Sequence, residues 1–144
     1  MRRAWRICRA PYADLSGEGA RLYGGRWNSA GVALVYTADH PALALLEVRV
    51  HLDLPPDLLP DDYVLLSIDL GSAEIETWDE LPTDPRAAGD RWAASLRTPI
   101  LQAPSVLVPE ASNFLINPAH PGAAAVSIVK RRPFAFDERL WLGA

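Results

Sequence analysis

Residues 32–52 read VALVYTADHPALALLEVRVHL, and this stretch decides the fold class because a strand pattern passes directly into a helix pattern. The apolar, β-branched run from Val32 to Thr37 predicts a short buried strand. Asp39 is expected to cap the helix that follows, with Pro41 in its first turn. The helix is predicted to run from about His40 to Leu52, so one strand and one helix lie side by side in the chain.

The predicted helix carries an acidic residue beside its apolar stripe. Leu43, Leu46 and Val50 share one stripe at helical spacing, and Glu47 lies next to it rather than opposite. Burying an unpaired carboxylate is costly, so this position needs an explanation. Glu47 either pairs with Arg49 or another arginine, or lines a cleft in which polar partners hold it.

Working outward from this stretch, helices and strands alternate without a regular strand–helix–strand rhythm. We therefore expect an α+β fold: a single compact domain over residues 1–144, built from mixed β-sheets with flanking helices. A glycine-rich loop is predicted at Asp14–Gly31, and an aromatic tail at Phe134–Leu142 is expected to dock on the body. The other predicted elements are strands at Ala4–Arg9, Tyr63–Leu70, Pro104–Val108 and Ala124–Val129, and a helix that Thr83 or Asp84 caps and that ends near Leu96.

Composition excludes several classes of protein. The formal net charge is −4, which argues against nucleic acid as a direct partner because binding phosphate backbones needs a basic face. The single cysteine, Cys8, excludes an intramolecular disulfide framework. The longest uncharged stretch, Ala111–Val129, is broken by asparagine, histidine and proline, so no membrane span is expected there. We expect a cytoplasmic protein.

The glycine-rich loop contains the first candidate for chemistry. Its glycines fit neither a dinucleotide-binding fingerprint nor a Walker motif. The loop is either a surface turn whose glycines take positive φ, or a place where the backbone approaches a ligand closely. Arg26 favours the second interpretation, because an arginine after two glycines can be aimed at a phosphate and bind it with both arms of its guanidinium.

The remaining candidates are scattered along the chain. Arg6 lies in a strand pattern and faces either solvent or a cleft. Tyr36 ends a predicted buried strand, where a tyrosine usually keeps its hydroxyl at the rim of the core. Ser105 follows a proline, but no nucleophile-elbow motif surrounds it. The three histidines share no metal-ligand spacing, so no metal site is predicted; they are His40, His51 and His120.

Together these segments resemble the RES domain, a bacterial family named for an arginine, a glutamate and a serine. The similarity extends over nearly the whole chain, and it rests on several blocks in order. They are WRI at 5–7, GEGARLYGGRWNSAG at 17–31, LVYTA at 34–38, PALALLEV at 41–48, PSVLVPEASNFLINPAHP at 104–121 and FDERLW at 136–141. The resemblance places the family's three residues on Arg26, Glu47 and Ser105, and its additional arginine and tyrosine on Arg6 and Tyr36.

The resemblance also implies a function. Such proteins are similar to toxins of toxin–antitoxin pairs, resemble ADP-ribosyltransferases of the diphtheria type, and consume NAD as substrate. Their partners are antitoxins with an Xre-like helix-turn-helix region, so a hetero-oligomer is expected. Cleavage of the nicotinamide–ribose bond would transfer ADP-ribose to water, to phosphate or to a protein side chain. The alternative is a non-catalytic module that binds a nucleotide or a partner and has kept the fold.

In this scheme each candidate has a role. Arg6 and Arg26 suit the pyrophosphate, or one of them a ribose hydroxyl. Glu47, if ionised, suits the ribose 2′-hydroxyl and the developing cation. Tyr36 could stack on nicotinamide or form a hydrogen bond near it, and Ser105 could orient Glu47 or the nicotinamide amide.

Overall fold

The computed structural model describes residues 2–143, which form one α+β unit around a single mixed sheet. Three helices accompany the sheet: α1 at Glu18–Tyr23, α2 at Pro41–Arg49 and α3 at Pro85–Ser95. The seven strands are β1 at Arg3–Arg9, β2 at Val35–Ala38, β3 at Tyr63–Asp69, β4 at Ile75–Thr77, β5 at Ile100–Pro104, β6 at Ser112–Ile116 and β7 at Ser127–Pro133.

The strand order in the sheet is β4-β5-β6-β2-β1-β3-β7. Only the pair of β4 and β5 is parallel, and the other neighbours run antiparallel. The α+β class predicted from the sequence is therefore confirmed, although one continuous sheet takes the place of several.

Both faces of the sheet carry buried apolar side chains, and successive residues of a strand contribute to opposite faces. On one face the buried side chains make a single cluster, which includes Val35, Leu66 and Ile116. On the other face the core is divided in two. Helix α3 covers one half through Trp92, and helix α2 covers the other half through Leu43.

The two halves of the sheet separate between β1 and β2. These strands pair at one position, Trp5 with Ala38, whereas β1 pairs with β3 along its full length from Arg3 to Arg9. Beyond the Trp5–Ala38 pair the two strands diverge, and the divergence opens a gap beside α2. This gap positions the candidate site.

Helix α2 begins and packs differently from the prediction. His40 is the N-cap, since its Nδ1 accepts a hydrogen bond from the backbone N–H of Ala42 at 3.0 Å. The expected cap, Asp39, instead accepts a hydrogen bond from the backbone N–H of Ser112 in β6. Of the predicted apolar stripe only Leu43 is buried, because Leu46 and Val50 are 42% and 51% exposed.

Other predicted boundaries also shift. The predicted loop at Asp14–Gly31 contains α1, and the predicted strand Pro104–Val108 is wrong because β5 ends at Pro104. The last strand begins at Ser127 rather than Ala124, since a short 3₁₀ helix occupies Pro121–Ala125. The second long helix is confirmed, with the side chain of Asp84 as its N-cap.

The aromatic tail docks as expected. Phe134 and Phe136 pack against the cluster under α2, and Phe136 meets the ring of Tyr63 edge-on. Arg49 of α2 lies over the ring of Trp141 at 4.2 Å, and its Nε donates to the carbonyl of Leu140. Arg49 is thus committed to the tail and is no partner of Glu47. None of the helices within residues 2–143 is both long and apolar enough to traverse a bilayer.

Candidate active site

The segment GGRWN, residues 24–28, forms a tight turn at the mouth of the gap between β1 and β2. Gly24 ends α1 with φ +71°, a backbone conformation that residues other than glycine rarely adopt. Gly25 has a different constraint, because a Cβ there would lie 2.7 Å from the hydroxyl of Tyr36. The N–H of Gly25 donates to the carbonyl of Asn28 at 2.9 Å and closes the turn.

Buried polar groups hold this turn from below. Asn28 is fully buried and donates through Nδ2 to the carbonyls of Ala20 and Val32, both at 2.8 Å. Its Oδ1 accepts from the hydroxyl of Tyr36, which itself accepts from the backbone N–H of Trp27 at 2.9 Å. Burial raises the pKa of Tyr36 to about 12, so the hydroxyl stays protonated as a fixed donor.

Because both neighbours of Arg26 are fixed, its side chain is directed outward into the cleft. Arg26 is exposed and makes no hydrogen bond or ion pair with any residue from 2 to 143. Arg86, in the first turn of α3, lies on the same side and donates through Nε to the carbonyl of Gly25 at 3.2 Å. These two guanidiniums form a cationic rim on one side of the cleft.

Arg6 reaches the cleft from another direction. Strand alternation places it on the face of β1 that carries Ala4 and Cys8, opposite Trp5 and Ile7. Its Nη2 is 3.5 Å from the carbonyl of Tyr12, the upper limit for a hydrogen bond, so the guanidinium is only weakly held.

Glu47 lies in the last turns of α2 and is half-buried. Its Oε2 accepts a hydrogen bond from the hydroxyl of Ser105 at 3.0 Å, and its Oε1 accepts one from Nδ2 of Asn113 at 2.7 Å. Burial raises the pKa of Glu47 above the usual value of a glutamate, and the two hydrogen bonds and the charge of Arg26 oppose this shift. The negative charge of Asp39 also raises the pKa of Glu47, but by less than burial does.

Ser105 supports Glu47 from inside the core. It is fully buried and does not line the cleft. Its Oγ donates to Glu47 and accepts from the backbone N–H groups of Leu107 and Val108 at 3.2 and 3.4 Å. All its hydrogen bonds are therefore used to fix the β5–β6 loop and to orient the carboxylate.

The cleft has a volume of about 960 Å³, at the upper end of the range for sites that bind small molecules and cofactors. Among residues 2–143, Glu47 is the single carboxylate in its wall, against Arg6, Arg26 and Arg86. Aromatic side chains supply much of the remaining wall: Trp5, Tyr12, Tyr23, Trp27, Tyr36 and Tyr63. This combination suits a ligand with negative phosphates, a polar sugar and flat rings. The described part of the chain shows no cluster of histidine, cysteine or carboxylate side chains suited to a metal ion.

Most of the residues proposed from the sequence therefore meet at one place. Arg6, Arg26, Tyr36 and Glu47 line the cleft, and Ser105 touches Glu47 from behind. The sequence interpretation missed several lining residues, among them His51, Asn113 and Arg86. Asn113 carried a usable signal, because it opens the distinctive NFLINP segment, whereas Arg86 lies on an ordinary helix start and carried none.

Comparison with known sequences shows the family to which this chain belongs. A model of the RES domain family matches residues 3–137. A protein of Sphingobium sp. named Prs ADP-ribosylating toxin is 45% identical over 141 residues, covering 88% of this chain and 86% of the relative. A protein of Pseudomonas putida named Toxin Res is 37% identical over 145 residues, covering 95% and 98%.

A solved structure has the same fold. A chain of the M. tuberculosis MbcT–MbcA toxin–antitoxin complex superposes with a TM-score of 0.73 at 20% identity. The match covers 92% of this chain and 84% of the other. At this identity the likeness concerns the fold alone.

Proposed function

Because this chain belongs to the RES domain family, we propose that it is an NAD-consuming toxin of a bacterial toxin–antitoxin pair. The observation that supports this function most directly is the geometry around Glu47. One carboxylate, held by the donors of Ser105 and Asn113, lies in a cleft where the other charged groups among residues 2–143 are arginines.

The chemistry needs such a carboxylate. Heterolysis of the bond between nicotinamide and ribose leaves the electron pair on the nicotinamide nitrogen, so this group departs neutral and needs no general acid. Positive charge develops on the ribose, as in glycoside cleavage. An ionised Glu47, already fixed in orientation, is suited to stabilise that charge because its dipoles and hydrogen bonds need no rearrangement.

The arginines are suited to the pyrophosphate of NAD. Arg26 and Arg86 offer two planar guanidiniums on one rim, and each can hold phosphate oxygens with two donors. Arg6 offers a third guanidinium from the other side of the gap. The ring of Tyr36 lines the cleft while its hydroxyl braces the turn, so any contact with nicotinamide falls to the ring.

The acceptor of ADP-ribose is water, phosphate or a protein side chain. Similarity to a relative named for ADP-ribosylation of Prs favours a protein side chain. We propose Prs as the first acceptor to examine, with hydrolysis and phosphorolysis as the alternatives.

The partner we propose is an antitoxin with an Xre-like helix-turn-helix region, which would supply the DNA binding of the pair. The fold is shared with a chain from a toxin–antitoxin complex, and the net charge of −4 makes this chain itself a poor ligand for nucleic acid.

The function is tested by incubating the purified protein with NAD and measuring loss of NAD and release of nicotinamide. Separate reactions contain buffer, phosphate or purified Prs, and mass spectrometry identifies free ADP-ribose, its 1″-phosphate or modified protein. Glu47→Gln keeps the shape of the side chain but removes the charge, and we expect turnover to fall by roughly 10²–10³-fold.

Glu74→Gln is the matched control, because Glu74 is an exposed carboxylate outside the cleft. Its turnover should equal that of the wild type. Absence of turnover with every acceptor would favour the alternative of a non-catalytic binding module, and full activity in a folded Glu47→Gln variant would contradict the role of the carboxylate.

A further inference from the structure

Asn113 is a polar residue of the cleft to which the family resemblance assigns no role. It lies in β6, where its neighbours across the sheet are Ala38 in β2 and Ala103 in β5. Both neighbours have small side chains, so the amide of Asn113 projects beyond them and a ligand can lie beside it.

The hydrogen bonds of Asn113 determine which way its amide points. Nδ2 has two hydrogens, and it donates one to the carbonyl of Thr37 at 3.2 Å and the other to Oε1 of Glu47 at 2.7 Å. The opposite orientation of the amide would set its oxygen against two acceptors. Donation to Glu47 is therefore the only orientation compatible with the surrounding groups.

One polar group of Asn113, its Oδ1, remains free to contact a ligand. Oδ1 makes no hydrogen bond with any residue from 2 to 143, and Asn113 lines the cleft. Any contact between this residue and a ligand is consequently made by an acceptor. Glu47, at 2.7 Å on the other side of the amide, also has free lone pairs, since each of its oxygens accepts one hydrogen bond.

Two acceptors on an amide and a carboxylate that are joined by one hydrogen bond suit a ligand with two neighbouring hydroxyl donors. We propose that Glu47 and Asn113 together bind the vicinal diol of the ribose that carries nicotinamide. Glu47 accepts the 2′-hydroxyl, and Oδ1 of Asn113 accepts the 3′-hydroxyl. This proposal rests on the function proposed above, and it makes Asn113 a specificity residue for ribose as well as a positioning residue for Glu47.

The proposal predicts how the protein discriminates between dinucleotides. A site built to accept a hydroxyl rejects an analogue without it, because its own acceptor then loses its partner. The test compares kcat/KM for NAD with kcat/KM for the NAD analogue that lacks the 3′-hydroxyl on the nicotinamide ribose. We expect the wild type to prefer NAD by about tenfold, the effect of one hydrogen bond.

Two variants isolate the contribution of Oδ1. Asn113→Ala removes the acceptor, and its preference for NAD should fall to nearly one, even though the loss of orientation at Glu47 slows both substrates. Asn113→Asp keeps an acceptor of the same shape, and at mildly acidic pH the pair of carboxylates shares a proton, so the preference should be retained. This second variant keeps the test decisive if the alanine variant folds poorly.

Gln102→Ala is the matched control, because this amide lies on the adjacent strand β5 and its Nε2 donates to Ser112 instead. It should keep the preference of the wild type. Equal kcat/KM values for the two dinucleotides in a wild type that turns over NAD would overturn the ribose assignment alone, as would an undiminished preference in Asn113→Ala. If the wild type turns over neither dinucleotide, the proposed reaction fails, and dissociation constants for the same pair then decide the ribose assignment.

Discussion

Glu47 shows how one residue is balanced between two electrostatic effects. Burial of the side chain disfavours its charge, whereas the hydrogen bonds from Ser105 and Asn113 and the positive charge of Arg26 favour it. Burial is the larger effect, so the pKa of the carboxyl is raised above its ordinary value of 4.5. Ionised Glu47 therefore lowers the stability of the folded state, and the ionised form is the one that the proposed chemistry requires.

This balance predicts a pH-dependent stability. Between the ordinary and the raised pKa, folded protein binds more protons than unfolded protein, so the folded state loses stability as pH rises through this window. Glu47→Gln removes the titration. Relative to the wild type, its melting temperature should therefore climb as pH increases from 4.5 and level off once the folded carboxyl is ionised.

The measurement is a series of thermal melts across this pH range, with Glu74→Gln beside it as a control. A difference in melting temperature between Glu47→Gln and the wild type that does not vary with pH would show that the carboxyl is not perturbed.

A prediction about Arg26 concerns geometry rather than charge. Lysine keeps the positive charge but presents a single ammonium, so it does not reproduce the two-armed contact of a guanidinium with a phosphate. We expect Arg26→Lys to weaken NAD binding roughly tenfold, or about 1.4 kcal/mol. Thermal stability should not change, because Arg26 is exposed and makes no hydrogen bond within residues 2–143.

Calorimetry in the Glu47→Gln background, where turnover is expected to be slow, measures this affinity. Arg91→Lys, an exposed position on α3 outside the cleft, is the control. Equal NAD affinity in Arg26→Lys would remove Arg26 from the phosphate ligands.

At the scale of elements, the turn at residues 24–28 connects α1, β2 and α3. A Cβ on Gly89 would lie only 1.9 Å from the carbonyl oxygen of Trp27. The glycine therefore allows α3 to pack directly on the turn. Asp90, one residue on, accepts hydrogen bonds from the backbone N–H and hydroxyl of Ser29. The position of Arg26 is therefore determined by three elements, of which α3 is distant in sequence.

The strands with strong alternation and the capped helices were predictable, because their signals are local. Tyr63–Asp69 and the helix after Asp84 are examples. Helix α1 was missed because its six residues, EGARLY, contain a glycine and bury none of their side chains. The strand predicted at Pro104–Val108 ends at Pro104 because Ser105 turns inward to Glu47, a contact across 58 residues that no local pattern reveals.

Local sequence patterns also do not reveal how the residues of the candidate site are arranged. Arg26, Glu47 and Ser105 could be named from the motifs, but the arrangement that puts Ser105 behind Glu47 and Asn113 beside it depends on strand pairing between β2, β5 and β6. Arg86 enters the cleft only because α3 packs on the turn.

The bracing of the turn gives an element-scale prediction. Tyr36→Phe removes a hydroxyl that accepts from the N–H of Trp27 and donates to Asn28, which leaves two buried groups without partners. We expect a loss of about 2 kcal/mol in the free energy of unfolding, or roughly 4–8 °C in melting temperature. Weaker NAD binding should accompany it, because Arg26 loses its fixed position.

The same change at Tyr63 is the control, since its hydroxyl makes no hydrogen bond within the described residues, and the free energy of unfolding should change by less than about 0.5 kcal/mol. Equal melting temperatures for Tyr36→Phe and Tyr63→Phe would mean that the hydroxyl of Tyr36 does not brace the turn.

At the scale of the whole molecule, charge is distributed unevenly. The chain carries a net charge of −4, yet the described residues that line its cleft include three arginines and one carboxylate. The cleft therefore attracts anions while the net negative charge of the chain repels them, which would direct the proposed dinucleotide substrate to the site and disfavours nonspecific binding to nucleic acid. The same field would attract a carboxylate-bearing segment of a protein partner.

The final prediction follows from this field. A cell that makes an NAD-consuming enzyme must restrain it, and a partner that covers Arg26 and Arg86 with an acidic segment would exclude the phosphates of NAD. Expression of this chain alone should arrest growth, and co-expression of the adjacent antitoxin gene should relieve the arrest.

Reversing both rim charges, with Arg26→Glu and Arg86→Glu, should weaken the purified complex at least about tenfold by removing the attraction and adding repulsion. The control reverses Arg131 and Arg132, which are exposed on the edge strand β7 outside the cleft, and should leave the affinity unchanged. A complex in which the partner binds away from Arg26 and Glu47 and leaves the cleft open to NAD would refute steric blocking, even if the toxin were neutralised.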